Sequence, residues 1–366
     1  MRVKLVALIP AYNEEAVIAQ TIQSILDAGM HPQDIIVIND CSKDRTAEIA
    51  TGLGVVVFNN EVNLGKAGGV TNALRRISSD SRYKDLTHIC FLDADTLVDN
   101  KYFQSVREHL KEDLLLCERS GKRGRKKKAP ISVLCGRAKS IPHNWLTAFR
   151  AYELWQTNGL HKPAQERVKA ITVAPGCAST YSVEALKGVE WTDETVTEDM
   201  DATIQVVLAG GRIEYELNAV VYTQDPNTVR DYLGQIGKRW YPGTWQVMGK
   251  HGLLWRGPFS AIHWECRMMM LEPVAYVATL LYTVLYHPEF LPWILGTVML
   301  TVFTFATMAS KAEGRWDILK YSPIFPLILF VNLITFVMSM PNLFGRKKNQ
   351  RRQWYSPKRY AITQRD

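Results

Sequence analysis

Short apolar runs alternate with polar stretches up to about residue 250, and from Met268 to about residue 344 long apolar segments dominate. The run "VKLVALIP" (3–10), stopped by Pro10, predicts a buried strand. In "NEEAVIAQTIQSILDAG", Val17, Ile18, Ile22, Ile25 and Leu26 recur at helical spacing, with Asn13 as the expected cap and Gly29 as terminator. "DIIVIND" (34–40) predicts a second strand ending at Asp40, followed by the helix "SKDRTAEIATGLG" capped by Ser42 or Asp44. "VVVF" (55–58) predicts a third strand, "KAGGVTNALRRI" a helix after a glycine-bearing loop, and "HICFLDAD" (88–95) a fourth strand. Strand and helix alternate, the pattern of an α/β fold with a parallel sheet covered on both faces. A charged loop (119–130) interrupts it before "PISVLCGRAKSI" resumes as a strand and "NWLTAFRAYELWQTNGL" as a helix.

The later apolar segments change the picture. Residues 268–286 hold one charge, Glu272, while 290–310 and 323–344 hold none. Each is close to the roughly 20 apolar residues that cross a hydrocarbon core. Core helices of a large soluble domain would need the same composition, but three such segments in succession favour membrane insertion. "HGLLWRGPFSAIHW" (251–264), rich in tryptophan and broken by Gly257-Pro258, suits the headgroup boundary. The expected division is a catalytic domain (1–250), interfacial and transmembrane helices (251–345) and a basic tail (346–366). "MRVKLVALIP" is too short for a secretory leader, so the first domain is expected in the cytoplasm.

Charge and cysteine usage narrow the class. The 366-residue chain has a formal net charge of +8, concentrated in "KRGRKKK" (122–128) and "RKKNQRR" (346–352). No nucleic-acid motif accompanies either run, so no nucleic-acid partner is expected. The second follows an apolar segment, where basic residues meet anionic headgroups, whereas the first reads as a solvated loop. A basic tail in the cytosol requires an even number of crossings. With three apolar segments, Pro323, Pro326 and Pro341 make the last a candidate interfacial or re-entrant element. Cys41, Cys90, Cys117, Cys135, Cys177 and Cys266 form no CxxC pair, and the eight histidines form no HExxH. That excludes a zinc ribbon and a zincin and suits a reducing compartment.

In open α/β sheets, ligands bind beyond the carboxyl ends of the strands. Tyr12, Asn13, Glu14, Asp40, Lys66, Asp93 and Asp95 all arrive there. That set suits a cation and a phosphorylated ligand. "NLGKAGG" lacks the first glycine and the hydroxyl residue of a P-loop, and no GxGxxG follows the first strand, so the nucleotide must be held another way. "DAD" at 93–95 puts two carboxylates where a strand gives way to a turn. This suits a hard cation that prefers oxygen ligands and shares substrate phosphates.

On these residues the sequence resembles the membrane-bound family 2 glycosyltransferases with a GT-A fold, the group of the cellulose, chitin, hyaluronan and poly-N-acetylglucosamine synthases. The resemblance covers nearly the whole chain and implies a Rossmann-like, mostly parallel catalytic domain followed by transmembrane helices. "IPAYNEE" is similar to the family's uridine-binding turn, which implies nucleoside contacts from Ala11, Tyr12 and Glu14. "VINDCSKDRT" implies a uracil contact from Asp40, and "NLGKAGGVTNAL" a diphosphate contact from Lys66. "DADT" resembles the metal motif, which implies Asp95 as the foremost direct ligand of Mg2+ or Mn2+ and Asp93 as both a metal residue and a donor contact.

Residues 195–215 supply Glu198, Asp199 and Asp201. An acidic helix start explains Asp201, because carboxylates favour the positive helix end. "TED" (197–199) matches the motif that carries the general base, implying Asp199, with Glu198 the other catalytic candidate. "QIGKRWYPG" (235–243) resembles QxxRW with one additional residue, QxxxRW. Arg239 would lie near the diphosphate and Trp240 would stack on the acceptor sugar. An interfacial Arg-Trp pair is the structural alternative. "APGCAST" (174–180) resembles the small-residue stretch at the acceptor, implying Gly176 and Cys177. Core packing is the first expectation for Trp145, Phe149, Tyr152 and Trp155, ahead of lining an acceptor channel.

The expected activity is inverting transfer of a sugar, GlcNAc or glucose, from a UDP-sugar to a saccharide or lipid-linked hydroxyl at the bilayer, in polysaccharide synthesis. The rivals are single addition to a polyprenyl phosphate or glycolipid, and a non-catalytic nucleotide-binding membrane protein. Three apolar segments are few for a channel, so a homo-oligomer or accessory membrane subunit could supply further helices.

Overall fold

A computed structural model describes residues 3–121, 128–257 and 260–344. The strands are β1 (Leu5–Ala11), β2 (Ile35–Asn39), β3 (Val56–Asn59), β4 (His88–Phe91), β5 (Thr96–Val98), β6 (Ile131–Ser140), β7 (Ser179–Ser182) and β8 (Arg212–Thr223). They form one eight-stranded sheet in the order β3-β2-β1-β4-β7-β6-β8-β5. β3, β2, β1 and β4 are mutually parallel, because a helix crosses over between successive strands. β7 is antiparallel to both neighbours, β4 and β6, and β8 returns parallel to β6.

Period two along β1 sorts the core. Leu5, Ala7 and Ile9 pack on one face with helix Ile18–Asp27, and Val6 and Leu8 pack on the other with helix Gly65–Ser79. All five residues of β2 are buried, as a strand covered on both faces requires.

Two local expectations are corrected. The first helix begins at Ile18, capped by no side chain, and Asn13 instead takes a left-handed turn conformation (φ 56°). Its side chain is drawn to the backbone of Lys43, which competes with capping. The fourth strand ends at Phe91, so Asp93 and Asp95 lie in the turn before β5 rather than in the strand. Of the two capping candidates for the second helix, Asp44 accepts from the Thr46 amide at 3.0 Å, while Ser42 Oγ accepts from the Asn13 amide.

Three helices are long and apolar enough to cross a membrane: Ala261–Tyr286, Pro288–Glu313 and Trp316–Phe344. The first is buried mainly near its start, at Ile262, His263, Cys266 and Met270, and the second toward its end, at Val302, Ala306, Ala309 and Ser310. Between these ends the pair exposes Tyr282, Leu285, Tyr286, Trp293, Leu295 and Leu300. The third is broken into Trp316–Tyr321, a 3-10 turn, and Phe325–Met338. Phe149 and Tyr152 pack in the core against Phe325, the bland expectation for those aromatics. Residues 122–127 and 345–366, with most of both basic runs, and Pro258-Phe259 lie outside the described residues.

Candidate active site

The loops beyond β1, β2 and β3 are sewn to one another by side-chain and backbone hydrogen bonds. The Glu14 amide donates to Thr46 Oγ1 (2.8 Å), the Lys43 amide to Asn13 Oδ1 (2.8 Å), and the Asp40 amide to the Ala11 carbonyl (3.0 Å). Asp40 is buried, and one of its carboxylate oxygens accepts from Asn60 Nδ2 (2.8 Å) and the Leu64 amide (2.9 Å). Asp40 therefore anchors the loop leading to Lys66, whatever face it offers a ligand. Tyr12 stands 44% exposed at the rim of this loop cluster, and Glu14 is buried.

Lys66, in the first turn of helix Gly65–Ser79, reaches across to two acids distant in sequence. Its Nζ donates to Asp93 Oδ1 (2.7 Å) and lies 3.1 Å from Glu198 Oε1. Burial lowers the proton affinity of this ammonium, but Asp93 and Glu198 outweigh burial and hold it well above the ordinary lysine range. The turn carrying Asp93 and Asp95 is fixed from beneath, where the Ala94 carbonyl accepts from Thr21 Oγ1 (2.7 Å). Asp95 is buried, whereas the Asp93 side chain is about a third exposed (35%).

Glu198 and Asp199 open helix Glu198–Leu208 and are adjacent, yet their environments differ. Both are penalised by burial, which raises carboxyl pKa values. For Glu198 the cations Lys66 and Arg239 outweigh that penalty and hold it below the usual carboxylate range. Arg239 Nη2 lies 3.6 Å from Glu198 Oε1. For Asp199, burial and the negative charge of Glu198 win, and its carboxyl is raised. Its Oδ2 accepts from the Gly176 amide at 3.2 Å. A β-carbon on residue 176 would sit 3.0 Å from Lys66 Nζ, so the close approach of this backbone favours glycine. Burial, with the nearby Asp93 and Asp95, pushes the Cys177 thiol up, which disfavours its thiolate.

Arg239 and Trp240 lie on a π-helical turn, Ile236–Trp240, between two α-helical stretches. A π-turn takes one residue more than an α-turn, and the three residues between Gln235 and Arg239 in QxxxRW lie within it. Gln235 Oε1 is buried with no hydrogen-bond partner among the described residues. The Arg150 guanidinium covers the Trp240 ring, 4.6 Å from its centroid.

The sequence-predicted residues Lys66, Asp93, Gly176, Glu198, Asp199 and Arg239 thus converge within direct contact. Trp240 adjoins Arg239, and Ala11, Tyr12, Glu14 and Asp40 form the adjoining loop cluster. Asp201 is turned away, buried against Lys250 (2.8 Å) and His251 (2.6 Å). Sequence reading missed Trp191, whose ring packs on Phe91 and Tyr181 and lines the cavity with Lys66, Glu198 and Asp199. It also missed Arg150. No motif marks either, because Phe91 beside Trp191, and Asp225 and Trp240 beside Arg150, lie far along the chain. Among the described residues no three His, Cys, Asp or Glu side chains gather as a metal cage.

Comparison with known proteins bears on the family and the fold. Residues 6–188 match the family model "Glycosyl transferase family 2". A poly-beta-1,6-N-acetyl-D-glucosamine synthase of Staphylococcus epidermidis is 25% identical over 391 residues, covering 97% of this chain and 87% of the relative. The synthase of that name from Staphylococcus aureus (strain COL) is 25% identical over 287 residues, covering 76% of this chain and 63% of the relative. Among solved structures, the mannosyltransferase PcManGT of Pyrobaculum calidifontis, in complex with GDP-Man and Mn2+, aligns with TM-score 0.59 at 14% identity (88% and 87% of the two chains). TarS 1-349 of S. aureus, in complex with UDP-GlcNAc, aligns with TM-score 0.50 at 15% identity (92% and 90%). These structures share the GT-A fold. With its mostly parallel sheet and a family match across the first half of its length, this chain belongs to glycosyl transferase family 2.

Proposed function

We propose that this glycosyltransferase is a membrane-bound synthase that extends a β-linked N-acetylglucosamine polymer from UDP-N-acetylglucosamine, inverting the anomeric carbon. The product is the one named for relatives that align with 97% of the chain. The observation that carries the mechanism is the opposite tuning of two adjacent acids. Asp199, raised by burial and by Glu198, is the better proton acceptor, while Glu198 is held charged by Lys66 and Arg239. Asp199 takes the proton of the acceptor hydroxyl as it attacks the anomeric carbon from the face opposite UDP. Glu198 acts as the anchor that keeps two cations together. Lys66 and Arg239 meet the negative charge that develops on the departing diphosphate. Trp240 supports the acceptor ring, with Gly176 and Cys177 on the wall beside it.

A divalent cation fits the donor set in one particular way. The protein offers Asp95 and Asp93 in one turn but no third carboxylate close enough for an all-protein cage among the described residues. That matches Mg2+ or Mn2+, which commonly bind one or two carboxylates and complete their shell with substrate phosphates and water. Such an ion, when bound, neutralises charge on the diphosphate. Asp93 would hold it while still paired to Lys66.

The apolar helices support an integral membrane protein, and the proposal puts its catalytic domain in the cytoplasm. Helix Ala261–Tyr286 has 26 residues and Leu291–Glu313 has 23. At about 1.5 Å per residue these span about 39 and 35 Å, enough for a hydrocarbon core of about 30 Å. The first leaves the catalytic domain from its buried start and the second returns to it with its buried end, so the pair forms a hairpin that crosses twice. Phe325–Met338 has 14 residues and spans only about 21 Å. It touches the catalytic domain at both ends, Phe325 on Phe149 and Phe336 on Trp245, and lies along the interface.

The deciding experiment supplies purified protein in nanodiscs with a panel of UDP-sugars, with and without chelator, and sizes the radiolabelled product. A polymer from UDP-N-acetylglucosamine alone, abolished by chelator and by Asp95→Asn, is expected. A single lipid-linked monosaccharide would replace this reading with single addition to a lipid, and full activity in chelator would remove the metal.

A further inference from the structure

The Trp240 ring does not stand by itself. Arg150, on helix Trp145–Gln156, is 8% exposed and lies with its guanidinium over that ring. Two carboxylates hold the guanidinium in place: Nε donates to Asp225 Oδ1 (2.9 Å) and Nη1 to Glu153 Oε2 (2.5 Å). The other oxygen of Glu153 accepts from Asn332 Nδ2 (3.0 Å), and Asn332 Oδ1 accepts from the Tyr232 hydroxyl (2.8 Å). Asn332 belongs to the interfacial helix Phe325–Met338, and Asp225 follows β8 just before the helix that leads to the Arg239-Trp240 pair. A buried chain of polar contacts thus runs from the membrane-side helix to one face of the aromatic ring.

A buried arginine is costly unless its donors are met, and here two carboxylates meet them. A planar guanidinium stacks on an indole where an ammonium cannot, and desolvation strengthens the contact. With one face of Trp240 occupied, the ring can neither flip nor tilt freely. We propose that Arg150 is the positioning residue of the acceptor platform, clamped by Asp225 and Glu153 so that the opposite face of Trp240 stays presented to the acceptor sugar, and that Asn332 extends the clamp into the interfacial helix. This rests on the reading of Trp240 as acceptor platform.

The test measures initial rates of full-length protein in detergent, varying UDP-N-acetylglucosamine and a β-1,6-linked N-acetylglucosamine oligosaccharide separately. Arg150→Lys keeps the charge and loses the planar stack. It is expected to raise the acceptor KM about tenfold, the equivalent of about 1.4 kcal/mol, and to leave the donor KM within about twofold. In a Trp240→Ala background the same substitution should have no further effect on acceptor KM. Asn332→Leu, which leaves Arg150 with both carboxylates, should raise the acceptor KM by a smaller factor, and it serves as the test if Arg150→Lys does not fold. A rise in donor KM equal to that for acceptor, a loss confined to kcat, or effects that add to those of Trp240→Ala would overturn the proposal. An unchanged acceptor KM in Asn332→Leu would remove the extension to the membrane helix. If Trp240→Ala itself leaves acceptor use unaltered, the platform reading fails and the clamp with it. If Trp240→Ala weakens acceptor use and Arg150→Lys does not, only the clamp fails.

Discussion

Asp199 and Glu198 are neighbours in one helical turn with the same functional group, and only their surroundings separate them. Asp199→Asn should lower turnover by roughly two to four orders of magnitude while UDP affinity, read by calorimetry, stays within a few-fold. A loss of both together would make Asp199 a binding residue. The raised carboxyl also sets a pH dependence. A general base works deprotonated, so kcat should fall as pH drops through the Asp199 pKa, and that acidic limb should lie above the ordinary aspartate value of about 3.9. Away from the site, His109 sits between Glu214 (3.0 Å) and Glu216 (2.7 Å), with Arg212 and Lys128 also facing Glu214. Hydrogen bonds to the two glutamates push its pKa up to about 9. Because the folded value exceeds the unfolded one of about 6.5, the stabilisation is fully present below pH 6.5 and is lost as pH rises through 9. Melting curves of His109→Gln should therefore fall below wild type at pH 6 and converge with it by pH 10. The motifs themselves were legible at this scale, since DAD, TED and RW are short and contiguous. Which of two adjacent acids is the base was not, because Lys66 and Arg239 reach Glu198 from remote parts of the chain.

At the scale of elements, helix Tyr241–His251 packs so closely on the segment carrying Thr197 that Gly243 has no room for a side chain. A β-carbon there would lie 2.5 Å from Thr197 Cγ2 and 3.0 Å from its Cβ. In a free helix Gly→Ala gains up to about 1 kcal/mol, but here overpacking should reverse the sign and cost about 1–3 kcal/mol. Gly243→Ala should also displace the start of the Glu198 helix and lower turnover more than donor binding. Gly296→Ala, with nothing within 4 Å, is the control and should melt at or above wild type. The π-turn Ile236–Trp240 belongs to this scale as well. The additional residue was visible in the sequence as QxxxRW, but the wider turn in which it lies depends on the helices packed on either side. The start of the first helix was misplaced for a similar reason, because Asn13 finds the Lys43 backbone on another loop before it can cap its own helix.

At the scale of the whole molecule, the hairpin and the interfacial helix make a topological prediction. A single cysteine at Glu289, in the turn between the two crossings, should react with a membrane-impermeant maleimide only from the side opposite the catalytic domain. A cysteine at Met340, after the interfacial helix, should react only from the catalytic side. Labelling of both from one face of sealed vesicles would show that the apolar pair does not cross. Peptide mass mapping separates these labels from native Cys41 and Cys177, which are partly exposed.

The strand–helix alternation, the four parallel strands from β1 to β4, the loop and turn motifs and the apolar segments were all determined by consecutive residues. Hydrophobic period and motif spacing are local properties, and the burial they demand leaves few arrangements open. Other features were decided by contacts between residues far apart in the chain. These include the antiparallel β7 inserted between β4 and β6, the opposite tuning of Glu198 and Asp199, and the guanidinium of Arg150 on Trp240. The return of the second apolar helix to the catalytic domain, and the short third helix lying along it, are of the same kind. Such contacts leave no periodic trace, since each depends on where the rest of the fold has already placed its partner.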